Sequence, residues 1–419
     1  MTTTDNATGQ GAVTESGFRA YLKIIRAPGM SSWAFVALCQ RLPIAMSPLA
    51  LVYLGNEASS SYAVGALLAG AFAFAEAVAA GFMGRRFDRR PAGPELRLVL
   101  VVQTVALLLL AIPVLLQGDG VPVWLMVALA AIAGGVASGA HGGLRALLVR
   151  TVEPSIHHAA LSLEATMTTL LWAIGPAVVG LVALFTGQVW PVVVIAAVAA
   201  IGAVGAGALR DRGPTPDAAA ESRPRVRIWR LSWPALAQEG AVMLIVGAAY
   251  TGLPSLLEQV GTNPEIAGPT LAVFAVAGLI GGLIYGSRRW PGAYRTHSFV
   301  LVLALTAVSG LAVVSPVAAI IIPLVVLAGF AGTPALTARA AGIQELLPER
   351  VWATGFSGLY AAGGVGFGIA GAVIAALLEG AGIRTAMLIC LAIAVLATIV
   401  SAIAESRMAS AAARPVQAS

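Results

Sequence analysis

Charged residues are scarce in this sequence. Only 11% of its 419 residues are Asp, Glu, Lys or Arg, whereas about a quarter are charged in an average soluble domain. Residues 165–209 and 298–338 contain none of the four. A soluble domain of this size could not cover its surface with so few charges, and about 20 apolar residues suffice to cross a bilayer. The shortage excludes a soluble enzyme, a secreted disulfide scaffold and a nucleic-acid-binding protein, and it predicts a multi-spanning membrane protein.

Cysteine and lysine are rarer still. Cys39 and Cys390 both fall inside apolar segments, so we expect neither a disulfide nor a metal site. Lys23 is the sole lysine, and no G-K-[ST] signature of an ATP-binding phosphate loop occurs. Residues 366–371 match the glycine pattern of a dinucleotide site, but they lie inside an apolar segment with no strand before them. We therefore expect no enzymatic activity and no cofactor.

Apolar segments of spanning length follow one another along the chain. Each run of about 20 apolar residues predicts one transmembrane helix, so we expect an all-α membrane protein. The twelve predicted segments are 31–54, 61–84, 97–117, 122–147, 157–184, 189–209, 231–257, 266–287, 297–314, 318–342, 352–378 and 384–404. Residues 18–29 place apolar and basic side chains on opposite helical faces, which predicts a helix lying on the membrane surface or a basic juxtamembrane tail.

Arginines are concentrated on one side of the predicted membrane topology. Arg85 and Arg86 follow the second segment, and Arg288 and Arg289 follow the eighth, whereas the opposite side has only Arg384. Loops rich in Lys and Arg stay in the cytoplasm. We therefore expect both termini in the cytoplasm and the chain in the cytoplasmic (inner) membrane.

The chain divides into two halves that repeat. Arg145 precedes Pro154 by nine residues, and Arg339 precedes Pro348 by nine, in each case where a segment runs into a cytoplasmic loop. Six spans per half give both halves the same orientation, with the repeat axis along the membrane normal. We predict a tail with an interfacial helix at 1–30, six-helix bundles at 31–209 and 231–404, a cytoplasmic linker at 210–230 and a second tail at 405–419.

A charged segment, GRRFDRR, ends the second span. Its acid, Asp88, has arginines on both sides. Such a carboxylate can pair with Arg145 across the cytoplasmic mouth or cap a helix N-terminus in the other half. That pairing would close a gate at the mouth. The alternative is that these arginines only anchor the chain to lipid headgroups.

Twelve spans, two halves and a long cytoplasmic middle loop resemble the major facilitator superfamily of secondary transporters. Three features carry the resemblance. In the fourth span, Arg145 heads RALLVRTVEP, which is similar to the end of the corresponding helix in many bacterial members of that family. GRRFDRR, with Gly84, Asp88 and Arg89, resembles the cytoplasmic loop signature of that family. AIGPAVVG in the fifth span looks like the Gly-Pro signature of its proton-coupled exporters, and the matching residues are Gly175, Pro176 and Gly180.

The resemblance implies two six-helix bundles that rock around a central cavity. It implies a cytoplasmic gate that includes Gly84, Asp88, Arg89, Arg145 and Arg339. Spans 1, 4, 7 and 10 line the cavity in that family, which would place five polar residues near the substrate. These are Gln40, Arg41, His141, Gln238 and Glu239.

Four charged residues lie deep inside predicted spans, namely Arg41, Glu76, Glu164 and Glu239. An ionisable group in hydrocarbon costs at least about 2.5–3.5 kcal/mol and faces a partner or a cavity. Arg41 can pair with Glu164 or with Glu76. Such a pair is either a static packing device or a switch for which a proton or the substrate competes.

Glu239 has no deep cation near it in the C-terminal half. Buried carboxyl groups of this kind carry protons in transporters, and Glu239 is our principal candidate. His141, one turn from Arg145, is either a proton shuttle or a polar lining residue. Trp33 and Trp172 lie near span ends or hinges, which favours anchoring at the membrane interface.

We expect proton-coupled export of a small amphipathic compound from the cytoplasm. The expected partners are that compound, protons and membrane lipids, without nucleic acid, and the chain should function as a monomer. A metabolite importer or facilitator and a lipid flippase of the same fold remain alternatives.

Overall fold

The computed structural model describes residues 23–117, 120–153, 156–209, 225–287, 290–347 and 352–412, and their regular secondary structure is helical. Within hydrocarbon every backbone N–H and C=O must be satisfied inside the chain, so long apolar runs form helices. The helices are α1 (Met30–Ser59), α2 (Tyr62–Arg89), α3 (Ala92–Gln117), α4 (Val123–Ala137), α5 (Ala140–Thr151), α6 (His157–Thr186), α7 (Trp190–Gly205), α8 (Arg225–Gln259), α9 (Ala267–Gly286), α10 (Tyr294–Val314), α11 (Ala318–Leu346) and α12 (Trp352–Ala412). Short 3-10 turns follow α7 and precede α9, at Ala206–Ala208 and Pro264–Ile266.

Eleven stretches of the described residues are long and apolar enough to cross a membrane. They correspond to the twelve predicted segments with two differences. The predicted segment 122–147 is not one continuous helix, because a turn at Ser138 and Gly139 separates α4 from α5. Gly139 sits so close to the backbone of Met83 that an added Cβ would lie 2.6 Å from it. Glycine is a poor helix former, and this close approach leaves no room for a side chain at position 139.

The last two predicted segments form the single element α12. Gly382 interrupts it with φ 79° and ψ 162°, which are not helical values. Gly358, before the interruption, packs against the ring of Trp229, and Ser401, after it, donates to the carbonyl of Pro234 at 2.7 Å. Both ends of α12 thus return to the start of α8. The two arms of α12 are antiparallel and provide the eleventh and twelfth passes.

The two halves meet along two seams of small residues. At one seam, α2 packs on the first arm of α12, where Gly70 approaches Gly371 and Ala77 approaches Gly364. At the other seam, α6 packs on α9. Small residues let helix backbones approach closely in membranes, and here they join the N-terminal helices α1–α7 to the C-terminal helices α8–α12.

Polar contacts tie the halves together at one end of the molecule, which we call the closed end. Gln188 donates to Glu265 at 3.0 Å, and Ser61 donates to Glu379 at 2.9 Å. The close contacts of α2 with the first arm of α12 continue as far as Ala77, whereas a Cβ added to Gly81 or Gly84 would meet no described atom within 4 Å. The cleft between the halves therefore opens at the opposite end, which the arginine distribution predicts to be cytoplasmic.

Parts of the predicted tails and linker lie outside the described residues, namely 1–22, 210–224 and 413–419. Within the predicted interfacial helix, residues 23–26 are helical. The orientation of the termini stays a prediction.

Candidate functional site

A buried ion pair joins α1 to α6. Nη2 of Arg41 donates to Oε1 of Glu164 at 2.5 Å, and the two side chains are 3% and 2% exposed. Taking two charges out of water costs several kcal/mol for each ion, so each of them needs the other as its partner. Of the two pairings that the sequence left open, the geometry selects Arg41 with Glu164 rather than Arg41 with Glu76.

Trp33 lies beside this ion pair. Its indole Nε1 donates to the carbonyl of Leu144 at 2.8 Å, which ties α1 to α5, and the guanidinium carbon of Arg41 lies 6.0 Å from the centre of its ring. An aromatic face at this distance attracts a cation. Trp33 is buried, so the expectation that it anchors the chain at the membrane interface is wrong.

Two further basic side chains approach the same carboxylate from α5. Nε2 of His141 lies 3.4 Å from Oε1 of Glu164, and Nε of Arg145 lies 3.7 Å from Oε2. The side chain of His141 is 33% exposed and that of Arg145 is 52% exposed. Three of the predicted site residues, Arg41, His141 and Arg145, therefore converge on Glu164.

The C-terminal half contains a separate polar network. Nε of Arg339 donates to Oγ of Ser298 at 2.6 Å, and Nη1 donates to Glu405 at 2.6 Å. Ser298 in turn donates to Gln238 at 2.7 Å. Arg339 is 1% exposed, and these partners all belong to the C-terminal half.

Glu239 lies on α8 beside Gln238 and faces the first arm of α12. A Cβ added to Gly363 would be 4.0 Å from Cγ of Glu239. Oε2 of Glu239 is buried and has no hydrogen-bond partner in the described part of the chain. The same holds for Nε2 of Gln238 and for both side-chain polar atoms of Gln40. Such atoms are rare in folded proteins and mark sites that need an explanation.

Glu76 makes a hydrogen bond across the two halves. The hydroxyl of Tyr360 on α12 donates to Oε1 of Glu76 on α2 at 2.6 Å. This bond lies beside the seam contact between Ala77 and Gly364. A carboxyl group on one half is thus held by a phenol on the other.

Aromatic rings also meet between the halves. Trp172 of α6 and Tyr250 of α8 have ring centres 6.3 Å apart, and Tyr250 and Phe367 of α12 have centres 6.0 Å apart, both edge to face. Trp172 lies eight residues beyond Glu164, about 12 Å farther along α6 toward the closed end. Trp172 therefore packs at the contact between the halves, and its predicted role as an interface anchor is wrong.

The Gly-Pro motif of α6 faces two neighbours. Gly175 packs against Ala45 of α1, where an added Cβ would lie 3.0 Å from the Ala45 backbone. Gly180 packs against Gly268 of α9, whose own added Cβ would lie 2.4 Å from the carbonyl oxygen of Pro176. The motif thus forms the N-terminal side of the seam between α6 and α9.

The charged motif at the end of α2 is described in part. Gly84 and Arg89 belong to α2, and Arg89 is exposed. The side chain of Asp88 lies outside the described residues, so its predicted pairing with Arg145 stays a prediction. Nearby, Arg86 and Arg90 both contact Glu95 at the start of α3, Arg90 at 3.5 Å.

The sequence does not show which partners complete the site. Ser298, Glu405 and Tyr360 complete the contacts of Arg339 and Glu76, but each lies on a helix distant in sequence from its partner. A polar residue inside an apolar helix was the sole available indication for Ser298 and Tyr360. Among the described residues, no group of three or more His, Cys, Asp and Glu side chains is arranged to hold a metal ion.

The fold is that of solved membrane transporters. The nucleoside transporter NupG matches with a TM-score of 0.66 and 13% identity, over 88% of this chain and 98% of that chain. A bacterial homologue of the human lysosomal transporter Spinster, inward-facing and occupied, matches with a TM-score of 0.70 and 15% identity, over 94% and 98%. A POT family transporter bound to 5-aminolevulinic acid matches with a TM-score of 0.69 and 11% identity, over 93% and 97%. Identities this low establish the fold alone.

None of the curated proteins compared with the chain matches it. The profile of the Major Facilitator Superfamily matches residues 33–292, which is more than half of the 419 residues. Together with the eleven membrane-spanning stretches of the described residues, this match establishes that the chain belongs to the major facilitator superfamily.

Proposed function

We propose that this chain is a secondary active transporter that exports a small amphipathic compound from the cytoplasm in exchange for protons. The two halves alternate access to the cleft between them. The chain lies in the cytoplasmic membrane with both termini inside the cell and works as a monomer. The observation that carries the proposal is the half-buried side chain of Glu239, whose Oε2 is buried without a hydrogen-bond partner in the described part of the chain.

The charge of Arg339 acts on Glu239, contrary to the expectation that no cation lies near it, but Oε2 has no hydrogen-bond partner among the described residues. A buried carboxylate oxygen without a hydrogen bond is costly at this depth, and binding a proton removes the charge. Glu239 therefore binds a proton when the cleft is open to the outside of the cell, and it must release that proton before the next transport cycle. Glu239 lies where a change in its protonation can alter the packing between the helices. It contacts the first arm of α12 at Gly363, and the next residue, Gly364, packs against Ala77 of the N-terminal half. Movement of this arm on proton binding would shift the seam between the halves.

Glu76 supplies a second carboxyl at the same seam. The phenol of Tyr360 donates to it across the halves, and this hydrogen bond must break when the seam opens at that level. In this proposal Glu239 carries the proton, and Glu76 with Tyr360 holds the state in which the closed end is sealed.

The buried pair of Arg41 and Glu164 positions the N-terminal side of the cleft. Its two charges neutralise each other, so it keeps α1, α5 and α6 in fixed relation while the halves move. The Gly-Pro motif supports export, since it resembles the exporter signature and Gly180 forms part of the seam with α9.

An amphipathic substrate suits the groups around the cleft. Arg145 and His141 are polar and partly exposed, whereas Trp172, Tyr250 and Phe367 form an apolar cluster nearer the closed end. A compound with a polar group and an apolar body can contact both.

The proposal is tested by efflux of dyes and antibiotics from bacteria that lack their own pumps. Cells express the wild type, Glu239→Gln or the control Glu57→Gln, which removes an exposed acid at the end of α1. Each strain is assayed with and without a protonophore, and membrane insertion is quantified by immunoblot. We expect the wild type and Glu57→Gln to pump until the protonophore is added, and Glu239→Gln not to pump.

Two results would contradict the proposal. Efflux by Glu239→Gln at the wild-type rate would assign Glu239 a structural role. Wild-type accumulation rather than efflux, measured with the same compounds in whole cells and in inverted vesicles, would replace export by import.

A further inference from the structure

The charges on the N-terminal side of the cleft do not balance. Arg41, His141 and Arg145 all approach the carboxylate of Glu164. The closest contact is the fully buried one with Arg41, at 2.5 Å. One carboxylate neutralises one guanidinium, so the second guanidinium of the cluster, that of Arg145, remains in excess.

Arg145 is held loosely by the carboxylate. Its Nε lies 3.7 Å from Oε2 of Glu164, which is beyond hydrogen-bond distance. The side chain is 52% exposed. A guanidinium has five N–H donors in a planar fork, and the contact with Glu164 engages one edge of it at long range. Within the described part of the chain, which does not include the side chain of Asp88, most of the hydrogen-bonding capacity of Arg145 is therefore open to a ligand.

The position of α5 directs this side chain toward the other half. On its buried sides α5 contacts α2, where Gly143 packs against Phe87, and α1, where Leu144 accepts from Trp33. It also contacts α3, and it contacts α6 through Glu164. The helices α2 and α6 also form the two seams with the C-terminal half, so α5 lies between the seams. Its exposed face, with Arg145, therefore borders the cleft at the open end.

The chemistry of a ligand for such a site follows from the guanidinium. Its fork matches the two oxygens of a carboxylate or the oxygens of a phosphate. His141, one turn away and partly exposed, adds a polar contact, and the aromatic cluster of Trp172 lies about 12 Å beyond Glu164 along α6. A ligand that reaches both has an anionic group and an apolar body.

We propose that the substrate is an organic anion whose carboxylate or phosphate binds Arg145 at the open end of the cleft while its apolar body extends toward the aromatic cluster. This inference rests on the proposed function, since it takes the cleft to be the transport site. It names the charge of the compound, which the mixture of acids and bases in the spans left open.

The test is equilibrium binding to the purified full-length protein in detergent. The probes are 2-naphthoate, the neutral isostere 2-naphthamide and the cation 2-naphthylmethylammonium, each titrated by calorimetry. A charge-assisted hydrogen bond favours naphthoate over naphthamide by about tenfold or more. We expect this preference in the wild type, its loss in Arg145→Gln and its partial retention in Arg145→Lys, which keeps the charge without the fork.

Arg407→Gln is the matched control, because Arg407 is an exposed arginine near the end of α12 and is not among the residues that approach Glu164. It should retain the full preference. Tighter binding of the cation, equal binding of the amide, binding of none of the three probes to the wild type, or a preference that survives in Arg145→Gln would each overturn the inference. Binding needs no proton gradient, so failure of proton-coupled export in the efflux assay would leave this result unaffected, and the two failures are distinguishable.

Discussion

The two halves of the molecule place polar residues at matching positions but give them opposite charges. On α1 the pair is Gln40 and Arg41, and on α8 it is Gln238 and Glu239. Arg41 has a tight carboxylate partner in Glu164, whereas Oε2 of Glu239 has no partner in the described part of the chain. Arg41, in the N-terminal half, is therefore part of a fixed ion pair. Glu239, in the C-terminal half, is the residue whose charge can change without breaking an ion pair of this kind.

Arg145 and Arg339, which each precede a proline by nine residues, also differ between the halves. Here the C-terminal arginine is the one with close partners. Arg339 is 1% exposed and donates to Ser298 and Glu405, whereas Arg145 is 52% exposed and only approaches Glu164. The two halves thus share the path of the chain, but their corresponding charged residues differ in their partners. Arg41 and Arg339 are the buried arginines with a close carboxylate partner, and they lie on α1 in the N-terminal half but on α11 in the C-terminal half.

The strongest test of this comparison is Glu164→Gln. The change leaves the guanidinium of Arg41 buried without a counter-charge, which lowers the free energy of unfolding by about 3–5 kcal/mol. We expect little monodisperse protein after extraction and a much lower midpoint of thermal unfolding, measured by scattering and fluorescence.

The double variant Arg41→Gln/Glu164→Gln is the matched control for this prediction. It removes both charges, so it should recover most of the stability that the single change loses. If Glu164→Gln alone were as stable as the wild type, the buried charge of Arg41 would not need Glu164 as its counter-charge.

The next test compares Arg339→Gln with Arg145→Gln. Arg339→Gln removes charged hydrogen bonds to Ser298 and Glu405, and we expect a loss of about 1.5–3 kcal/mol of stability. Arg145→Gln changes an exposed side chain and should alter stability by no more than about 0.5 kcal/mol. Both variants are measured by thermal unfolding in the same detergent. Equal losses would remove the distinction between a structural and a cleft-facing arginine.

The number of passes and the division into two halves could be predicted from the sequence, because apolar run length and arginine placement are local properties. The interruption between α4 and α5 could not, since the close approach of Gly139 to Met83 is a tertiary contact between residues distant in sequence. The reversal inside α12 was predicted, because Gly380 and Gly382 separate two apolar runs of spanning length.

The candidate site was predictable as a set of residues but not as a set of pairs. Arg41, Glu76, Glu164 and Glu239 stand out as charges inside apolar runs. Which acid meets Arg41 depends on which helix lies beside α1, and that is a property of packing. Trp33 was misassigned for this reason, since an indole near a span end is compatible with both an interface anchor and a buried donor.

A third test addresses the seams that the halves share. Gly268→Val would place a side chain against the carbonyl of Pro176 and against Gly180, and overpacking of this kind costs about 1–3 kcal/mol. We expect the closed end to separate and the open end to narrow. Spin labels at Arg90→Cys and Leu346→Cys, on opposite halves of the open end, report this as a shorter distance. Gly286→Val, on the same helix with no described atom within 4 Å of an added Cβ, should leave that distance unchanged, and a similar shift in both variants would argue against a seam.

The smallest expected effect is that of Tyr360→Phe, which removes one hydrogen bond between the halves and keeps the ring. Loss of this bond to Glu76 weakens the sealed state by about 0.5–1.5 kcal/mol, and the same pair of spin labels should show a modest rise in the population with a narrowed open end. Glu76→Gln keeps an acceptor of similar shape but removes the negative charge, so it should shift the population less than Tyr360→Phe. The two changes share one interaction, and combined they should shift the population by less than the sum of their separate effects. Additive shifts would mean that the phenol and the carboxyl act on the seam independently, and that the contact between the halves at this depth depends on the glycines alone.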